Sequence, residues 1–355
     1  MTRLWERSHL LAYTVLPMVF TPPTRATLIE VARLAGTSKT SVSRFFGPER
    51  DKLSPTLQAR IEGAAAALDY RPNLMARSLK GSGSRLLGLL VADIRNPYSV
   101  AVMHGAEMLC RQHGYALIVA NTDNDDAREQ DLLDALDAYR VEGVILNATG
   151  LPERQLAPLR DRALPLVLLD RDLGLPELDV IGLDDEGAID MALDHLHAKG
   201  YRAVLYVGEA PERASSRRAR LERFEARSQM LAMAASSVIA GKDAEPTLEV
   251  AIEAFVARHS ATPCAVLAAN GNVTLAVAHA FRALGLTMGP VGFMGIDDMP
   301  WCALVGPGIT TLAQPTEAIG QAAAACLLNR LMPLDLAFQY RHRPTLIARG
   351  STQRI

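Results

Sequence analysis

The side chains best placed for chemistry are polar groups that follow short apolar runs. They are Asp93 and Asn96-Pro97-Tyr98 after Leu87 to Ala92, Asn121-Thr122-Asp123 after Ala116 to Ala120, and Asp170-Arg171 after Leu166 to Leu169. In the second half come Ser215-Ser216 and Arg220, Asn270 after Ala265 to Ala268, and Asp297-Asp298 after Gly292 to Gly295. Carboxylates, amides and guanidinium groups hold a ligand by directed hydrogen bonds, and a polyhydroxylated molecule needs many of them. Covalent chemistry has less support. His195 and His197 are two residues apart and fall on different faces of a helix, and His104 and His113 show no metal-ligand spacing. There is no P-loop and no G-x-S-x-G elbow, and Gly81-Ser82-Gly83 precedes its strand where a dinucleotide fingerprint follows one. The expectation is no catalytic residue, no cofactor and no metal. Cys110, Cys264, Cys302 and Cys326 form no C-x-x-C pair, which fits a reduced cytoplasm better than a disulfide framework.

A second group of side chains is basic and local. The formal charge of the 355 residues is only −2, but residues 24–85 carry eleven Lys or Arg against five Asp or Glu, a balance of +6. The chain beyond residue 85 is acidic, so a nucleic-acid footprint belongs to one segment. Within it Thr27-Leu28-Ile29-Glu30 is a capping box opening a helix, with Ile29, Val31, Ala32 and Leu34 as its apolar contacts. Gly36 allows a sharp turn, and Ser38 caps a second helix, Lys39 to Phe46, in which Val42 and Phe46 are spaced to face a core and Lys39, Thr40, Ser43 and Arg44 stay polar. Ser54-Pro55 starts a third helix running to Leu68. Three short helices within about 45 residues suit a small DNA-binding bundle. Lys39, Thr40 and Arg44 also fit the solvated face of an ordinary helix.

Asn73 to Lys80 is helical in pattern but too short to persist alone in water, and Gly81 to Ser84 reads as a flexible linker. From residue 86 short apolar strands, which include Val144 to Leu146 and Ala203 to Val207, alternate with amphipathic stretches at 98–113, 126–140, 186–199, 213–234, 247–258 and 272–284. That alternation implies doubly wound parallel sheets, where ligands bind beyond the carboxyl ends of the strands. No apolar run approaches the roughly 20 residues of a membrane helix. The longest, Leu10 to Phe20, contains Pro17, and Phe20-Thr21-Pro22-Pro23 lacks a signal-cleavage pattern. Residues 1–23 are expected to be a disordered extension, or translated leader if the start is Met18.

From about Thr24 the sequence resembles the LacI/GalR family of repressors. The resemblance rests on Thr27-Leu28-Ile29-Glu30-Val31-Ala32, Gly36-Thr37-Ser38, Ser41-Val42-Ser43-Arg44 and Tyr70-Arg71-Pro72-Asn73 with Ala76 and Leu79. It continues through Asn96-Pro97-Tyr98, Gly295-Ile296-Asp297-Asp298, Ala313-Gln314-Pro315 and Arg349-Gly350-Ser351-Thr352. Within the family it looks most similar to repressors of 2-ketogluconate utilisation, through Val91-Ala92-Asp93, Asn96 to Gly105 and Leu312 to Glu317.

The resemblance implies an all-α helix-turn-helix head, residues 24–71, and a hinge helix and linker, 72–85. Beyond them it implies an α/β sensor of periplasmic-binding-protein type with two lobes, 86–182 plus 315–333 and 183–314 plus 334–355. It also implies a cytoplasmic homodimer, or a higher oligomer, on a near-palindromic operator, with no membrane partner. Lys39, Thr40 and Arg44 would reach base edges, while Thr27, Ser38, Ser41 and Asn73 would hold phosphates. Leu79, beside Lys80, would wedge into the minor groove once the hinge helix forms on DNA, although a leucine there is equally an ordinary core residue. A sugar or sugar-acid effector would meet Asn96, Tyr98, Asp170, Ser216, Arg220, Asn270 and Asp297, with Arg220 as the carboxylate partner. Tyr98 could serve packing alone, Asp297-Asp298 could cap a turn, and Arg217-Arg218 could face solvent. Arg220-Leu221 is followed by Glu222-Arg223 where the family often has Gly, and residues 229–246 match poorly, so no cleft contact is assigned there. An extracytoplasmic binding protein would share the sensor's architecture but predicts a cleavable signal and no basic helical head.

Overall fold

The computed structural model describes residues 26–47, 49–71, 83–148, 164–241, 245–332 and 334–354. The chain divides into two units, Met1–Ser82 and Gly83–Ile355. The expected extension 1–23 and hinge segment Asn73 to Lys80 lie outside the described residues.

The first unit holds α1 (Leu28–Leu34), α2 (Lys39–Phe45) and α3 (Pro55–Ala67). Thr27 Oγ1 accepts from the Glu30 amide at 3.3 Å while Glu30 Oε2 accepts from the Thr27 amide at 2.7 Å, so two orphan donors of the first turn are satisfied reciprocally. Ser38 Oγ accepts from the Ser41 amide at 3.1 Å and starts α2 in the same manner. Between them Gly36 sits at φ +58, a left-handed conformation that favours glycine, and Arg60 of α3 donates to the Ala35 and Gly36 carbonyls at 2.5 and 2.8 Å, pinning the turn. The core is Val31, Ala32, Ala35, Val42, Phe45, Leu53, Ile61, Ala64 and Ala65. Two expectations about it need correction. Ile29 and Leu34 are 63% and 55% exposed, because the inward stripe of α1 runs through Val31, Ala32 and Ala35. Phe46, the C-cap of α2, is only half-buried, and the adjacent Phe45 fills the core with Phe46 edge-on to it at 5.0 Å.

The second unit contains two six-stranded sheets. In chain order its strands are β1 (Leu86–Val91), β2 (Ala116–Asn121), β3 (Val144–Leu146), β4 (Leu166–Leu169), β5 (Asp179–Leu183), β6 (Ala203–Gly208), β7 (Ala234–Ile239), β8 (Cys264–Ala268), β9 (Gly292–Ile296), β10 (Thr310–Ala313), β11 (Arg341–His342) and β12 (Thr345–Ile347). The helices are α4 (Pro97–Gln112), α5 (Asp126–Ala138), α6 (Asp185–Ala198), α7 (Ser215–Met230), α8 (Glu245–Arg258), α9 (Gly271–Ala283) and α10 (Thr316–Leu331). The first sheet runs β11-β5-β4-β3-β1-β2 and the second β12-β10-β9-β8-β6-β7, with parallel pairs throughout except β10 with β12. Each sheet is covered on both faces by its own pair of apolar clusters, which is why most of its strands are near-continuous apolar runs.

The chain passes between the sheets three times: from β5 to α6, from β10 to α10, and from β11 to β12. The third crossing corrects the expectation that 334–355 belongs to the second lobe. Arg341-His342 pairs with Gly182-Leu183 in the first sheet, and Leu334, Leu336 and Phe338 pack on the first sheet's core. Only β12 and the residues C-terminal to it join the second. Among the described residues no helix is long and apolar enough to cross a membrane, and no cluster of three metal-ligating side chains occurs.

Candidate functional site

The strands that face the cleft between the two lobes are followed within a few residues by polar side chains, and the local reason differs from strand to strand. After β1, Asn96 caps α4 by accepting from the Tyr98 amide at 3.0 Å, with Pro97 at the first helical position. That places the Tyr98 ring in the first core and its hydroxyl at the cleft. After β4, Asp170 adopts φ +65, and after β9 Asp297 adopts φ +77; each aspartate tolerates the left-handed region better than a branched side chain. After β8, Asn270 caps α9 by accepting from the Val273 amide at 3.0 Å. Ser216, Arg217 and Arg220 come from the first two turns of α7.

The seven side chains expected to meet an effector, Asn96, Tyr98, Asp170, Ser216, Arg220, Asn270 and Asp297, all line one cavity of about 110 Å³. Residues of both lobes form its walls. Asp297 is buried, accepts from the Gly271 amide at 2.8 Å and from Gln314 Nε2 at 2.6 Å, and burial pushes its carboxyl up against the opposing charge of Arg220. Asp298 does not share the cavity; Arg349 binds it through both guanidinium nitrogens at 2.6 and 3.0 Å and holds its carboxyl below the usual range. The Tyr98 phenol is raised well above 10 by burial and by the Asp170 and Asp297 charges, so it is neutral and can both donate and accept.

Arg220 lines the cavity with its guanidinium already engaged by protein groups. The residue is 6% exposed, with Nε donating to Asp185 Oδ1 at 2.7 Å and Nη1 to the Ala269 carbonyl at 2.8 Å. Asp185, buried beside it, matches its charge. Arg217, expected to face solvent, turns to the cavity and pairs with Glu209 Oε2 at 2.8 Å; the same oxygen accepts from Asn270 Nδ2 at 2.7 Å. Asn147, Glu209, Asn124, Gln314 and Arg171 also contribute to the polar lining, as does Asp93, one of the strand-end residues singled out in the sequence. Asn147 and Glu209 directly follow β3 and β6, so the strand-end rule reaches them when applied to every strand.

Four buried polar atoms in this lining have no hydrogen-bond partner: the Tyr98 hydroxyl, Asn147 Oδ1, Asp170 Oδ1 and Gln314 Oε1. Leaving a buried acceptor unsatisfied costs about 1–3 kcal/mol each, and the convergence of these groups on one cavity suits a molecule that donates hydrogen bonds.

In the helical unit Lys39, Thr40 and Arg44 are exposed on α2. Arg44 Nε lies 3.3 Å from Glu49 Oε2, which offsets part of its charge. The Thr27 hydroxyl donates to Glu30 Oε2 at 3.0 Å and the Ser38 and Ser41 hydroxyls share a 3.0 Å bond, so these three are engaged in capping. Asn73, Leu79 and Lys80 lie outside the described residues.

Comparison with known proteins agrees with both halves of this picture. Residues 27–73 match the family described as bacterial regulatory proteins, lacI family, and residues 193–352 match the periplasmic binding protein-like domain. The HTH-type transcriptional regulator PtxS of Pseudomonas plecoglossicida is 46% identical over 333 residues, covering 93% of this chain and 96% of its own. The HTH-type transcriptional regulator KdgR of Bacillus subtilis is 36% identical over 309 residues, 86% of this chain and 91% of its own. A crystal structure of the lac repressor dimer bound to operator and the anti-inducer ONPF superposes with a TM-score of 0.79 at 22% identity, covering 93% of this chain and 99% of that one. At that identity the likeness concerns the fold.

Proposed function

Because the chain belongs to the lacI family of bacterial regulatory proteins, we propose that it is a cytoplasmic repressor of sugar-acid catabolism, bound to operator DNA until a sugar acid such as 2-ketogluconate enters the cleft. The observation that carries the ligand half is the set of four unpartnered polar atoms at the strand ends. Three are acceptor oxygens and the fourth is a phenol, a pattern complementary to the hydroxyls of a sugar. For the DNA half, α2 presents Lys39 and Thr40 at its exposed start and Arg44 one turn on. These residues serve as base-edge contacts, Thr27, Ser38, Ser41 and Asn73 as phosphate contacts, and Leu79 with Lys80 as the minor-groove element. The active form is a homodimer whose two-fold axis matches a near-palindromic site. Release requires no bond to be made or broken: the effector stabilises one arrangement of the lobes about their three chain crossings, and that arrangement disfavours DNA binding.

The test uses the purified full chain. In vitro selection from a randomised duplex pool is expected to return a near-palindromic site. Millimolar 2-ketogluconate is expected to raise the unfolding temperature and to weaken binding to that site. Absence of any thermal shift with 2-ketogluconate and related sugar acids, or unchanged DNA affinity in their presence, would refute the reading.

A further inference from the structure

Three arginines line the cleft, and they differ in what already matches their charge. Arg220 has Asp185 and Arg217 has Glu209, each at 2.7–2.8 Å. Arg171, 8% exposed and two residues beyond β4, has only neutral acceptors among the described residues: Nη1 donates to the Ala148 carbonyl at 2.8 Å and Nη2 to Asn124 Oδ1 at 2.9 Å. Among the described residues no carboxylate lies within ion-pair distance of it. The neighbouring Asp170 instead accepts from Ser216 at 3.3 Å. We propose that Arg171, not Arg220, receives the carboxylate of the effector and is the residue that distinguishes a sugar acid from a neutral sugar; the inference rests on the sugar-acid function proposed for the cleft.

Two neutral bonds hold the guanidinium plane in place, one to the loop after β3 and one to the loop after β2, and they use two of its five N–H donors. Three N–H donors remain on a guanidinium whose plane is already fixed, so it can receive a carboxylate with little ordering left to do. The electrostatics favour an added negative charge at this point. Burial destabilises the Arg171 cation, the Arg217 charge adds to that, and Asp170, Glu129 and Glu209 oppose it only through space. A ligand carboxylate at Arg171 relieves this imbalance. The same group at Arg220 would compete with Asp185 for a guanidinium whose charge is already met. With the acid end of the ligand on Arg171, its hydroxyls face the unpartnered oxygens of Asn147, Asp170 and Gln314 in the same cavity.

The experiment is calorimetric titration of the full chain with 2-ketogluconate and with D-fructose, the same ketohexose skeleton bearing a neutral hydroxymethyl group in place of the carboxylate. Arg171→Gln is expected to weaken 2-ketogluconate binding about 30-fold, which is about 2 kcal/mol at 1.4 kcal/mol per decade, while changing fructose binding less than about threefold. Should the Gln variant fail to fold, Arg171→Lys carries the test. It keeps the charge without the fork, and the ratio of 2-ketogluconate to fructose affinity is expected to fall. Unchanged 2-ketogluconate affinity in the folded variant, or an equal loss for both ligands, overturns the assignment and leaves the sugar-acid function intact. A wild-type chain that binds no sugar acid overturns both.

Discussion

With Arg220 held between Asp185 and the Ala269 carbonyl, its removal leaves a buried carboxylate without its counter-charge. Burial already pushes the Asp185 carboxyl up to about 6 against the pull of Arg220. Arg220→Ala is therefore expected to destabilise the chain by about 3–5 kcal/mol, the range for breaking one side of a buried pair. Urea unfolding of the full chain measures this, and an unchanged midpoint would show that the pair contributes nothing to stability. A lost effector response in that variant must accordingly be read beside its stability. Asn96, Tyr98, Asp170, Asn270 and Asp297 were legible because they closely follow apolar runs, whereas Ser216 and Arg220, inside a helix, were picked out by the resemblance to the LacI/GalR family. Asp185 was not, because the strand before it, Asp179–Leu183, contains an aspartate and a glycine and shows no such run. Which of three arginines is free for a ligand was not legible either, since it depends on partners that lie 8 to 49 residues away in sequence and that only the fold brings together.

At the scale of elements, α4 and α10 approach so closely that side chains are excluded. A Cβ at Gly320 would lie 2.0 Å from the Val102 carbonyl oxygen, and one at Gly105 would lie 2.1 Å from that of Glu317. The obstacles are helix backbone, which cannot rotate aside, so Gly320→Ala must separate the helices and is expected to cost at least the 1–3 kcal/mol, roughly, of an overpacked core. A denaturant midpoint equal to wild type would show that the two helices can part without loss. α10 escaped the sequence pattern for a related reason: Ile319, Ala322 to Leu328 and Gly320 are all buried, so it lacks the polar face by which a surface helix is recognised. β7 escaped for the opposite reason, being an edge strand of half-exposed small and polar residues. Another element contact is sensitive to acid. His195 of α6 meets Thr352 Oγ1 at 2.9 Å near the C-terminus, and burial, aided by the Lys199 charge, lowers the imidazole pKa below 6.5. A base lowered in the folded state stabilises the fold fully above its unfolded value of 6.5, and that contribution is lost as pH falls through the lowered folded one. The unfolding temperature should drop less between pH 7.5 and 5.5 in His195→Gln than in wild type. Parallel curves for the two would exclude His195 as a source of the dependence.

For the whole molecule, charge segregation and alternation of strands with helices were legible early, because each is a property of long stretches. The path by which the chain returns to the first sheet at Arg341-His342 was not, since a two-residue strand carries no periodicity. The unpartnered oxygens of the cleft have a consequence for how this protein can change over generations. Replacing Asn147 by a leucine-like side chain would remove an unsatisfied acceptor and fill space, so such a chain would fold more stably while hearing its effector less. Selection for heat resistance alone would thus drift toward a permanently silencing variant.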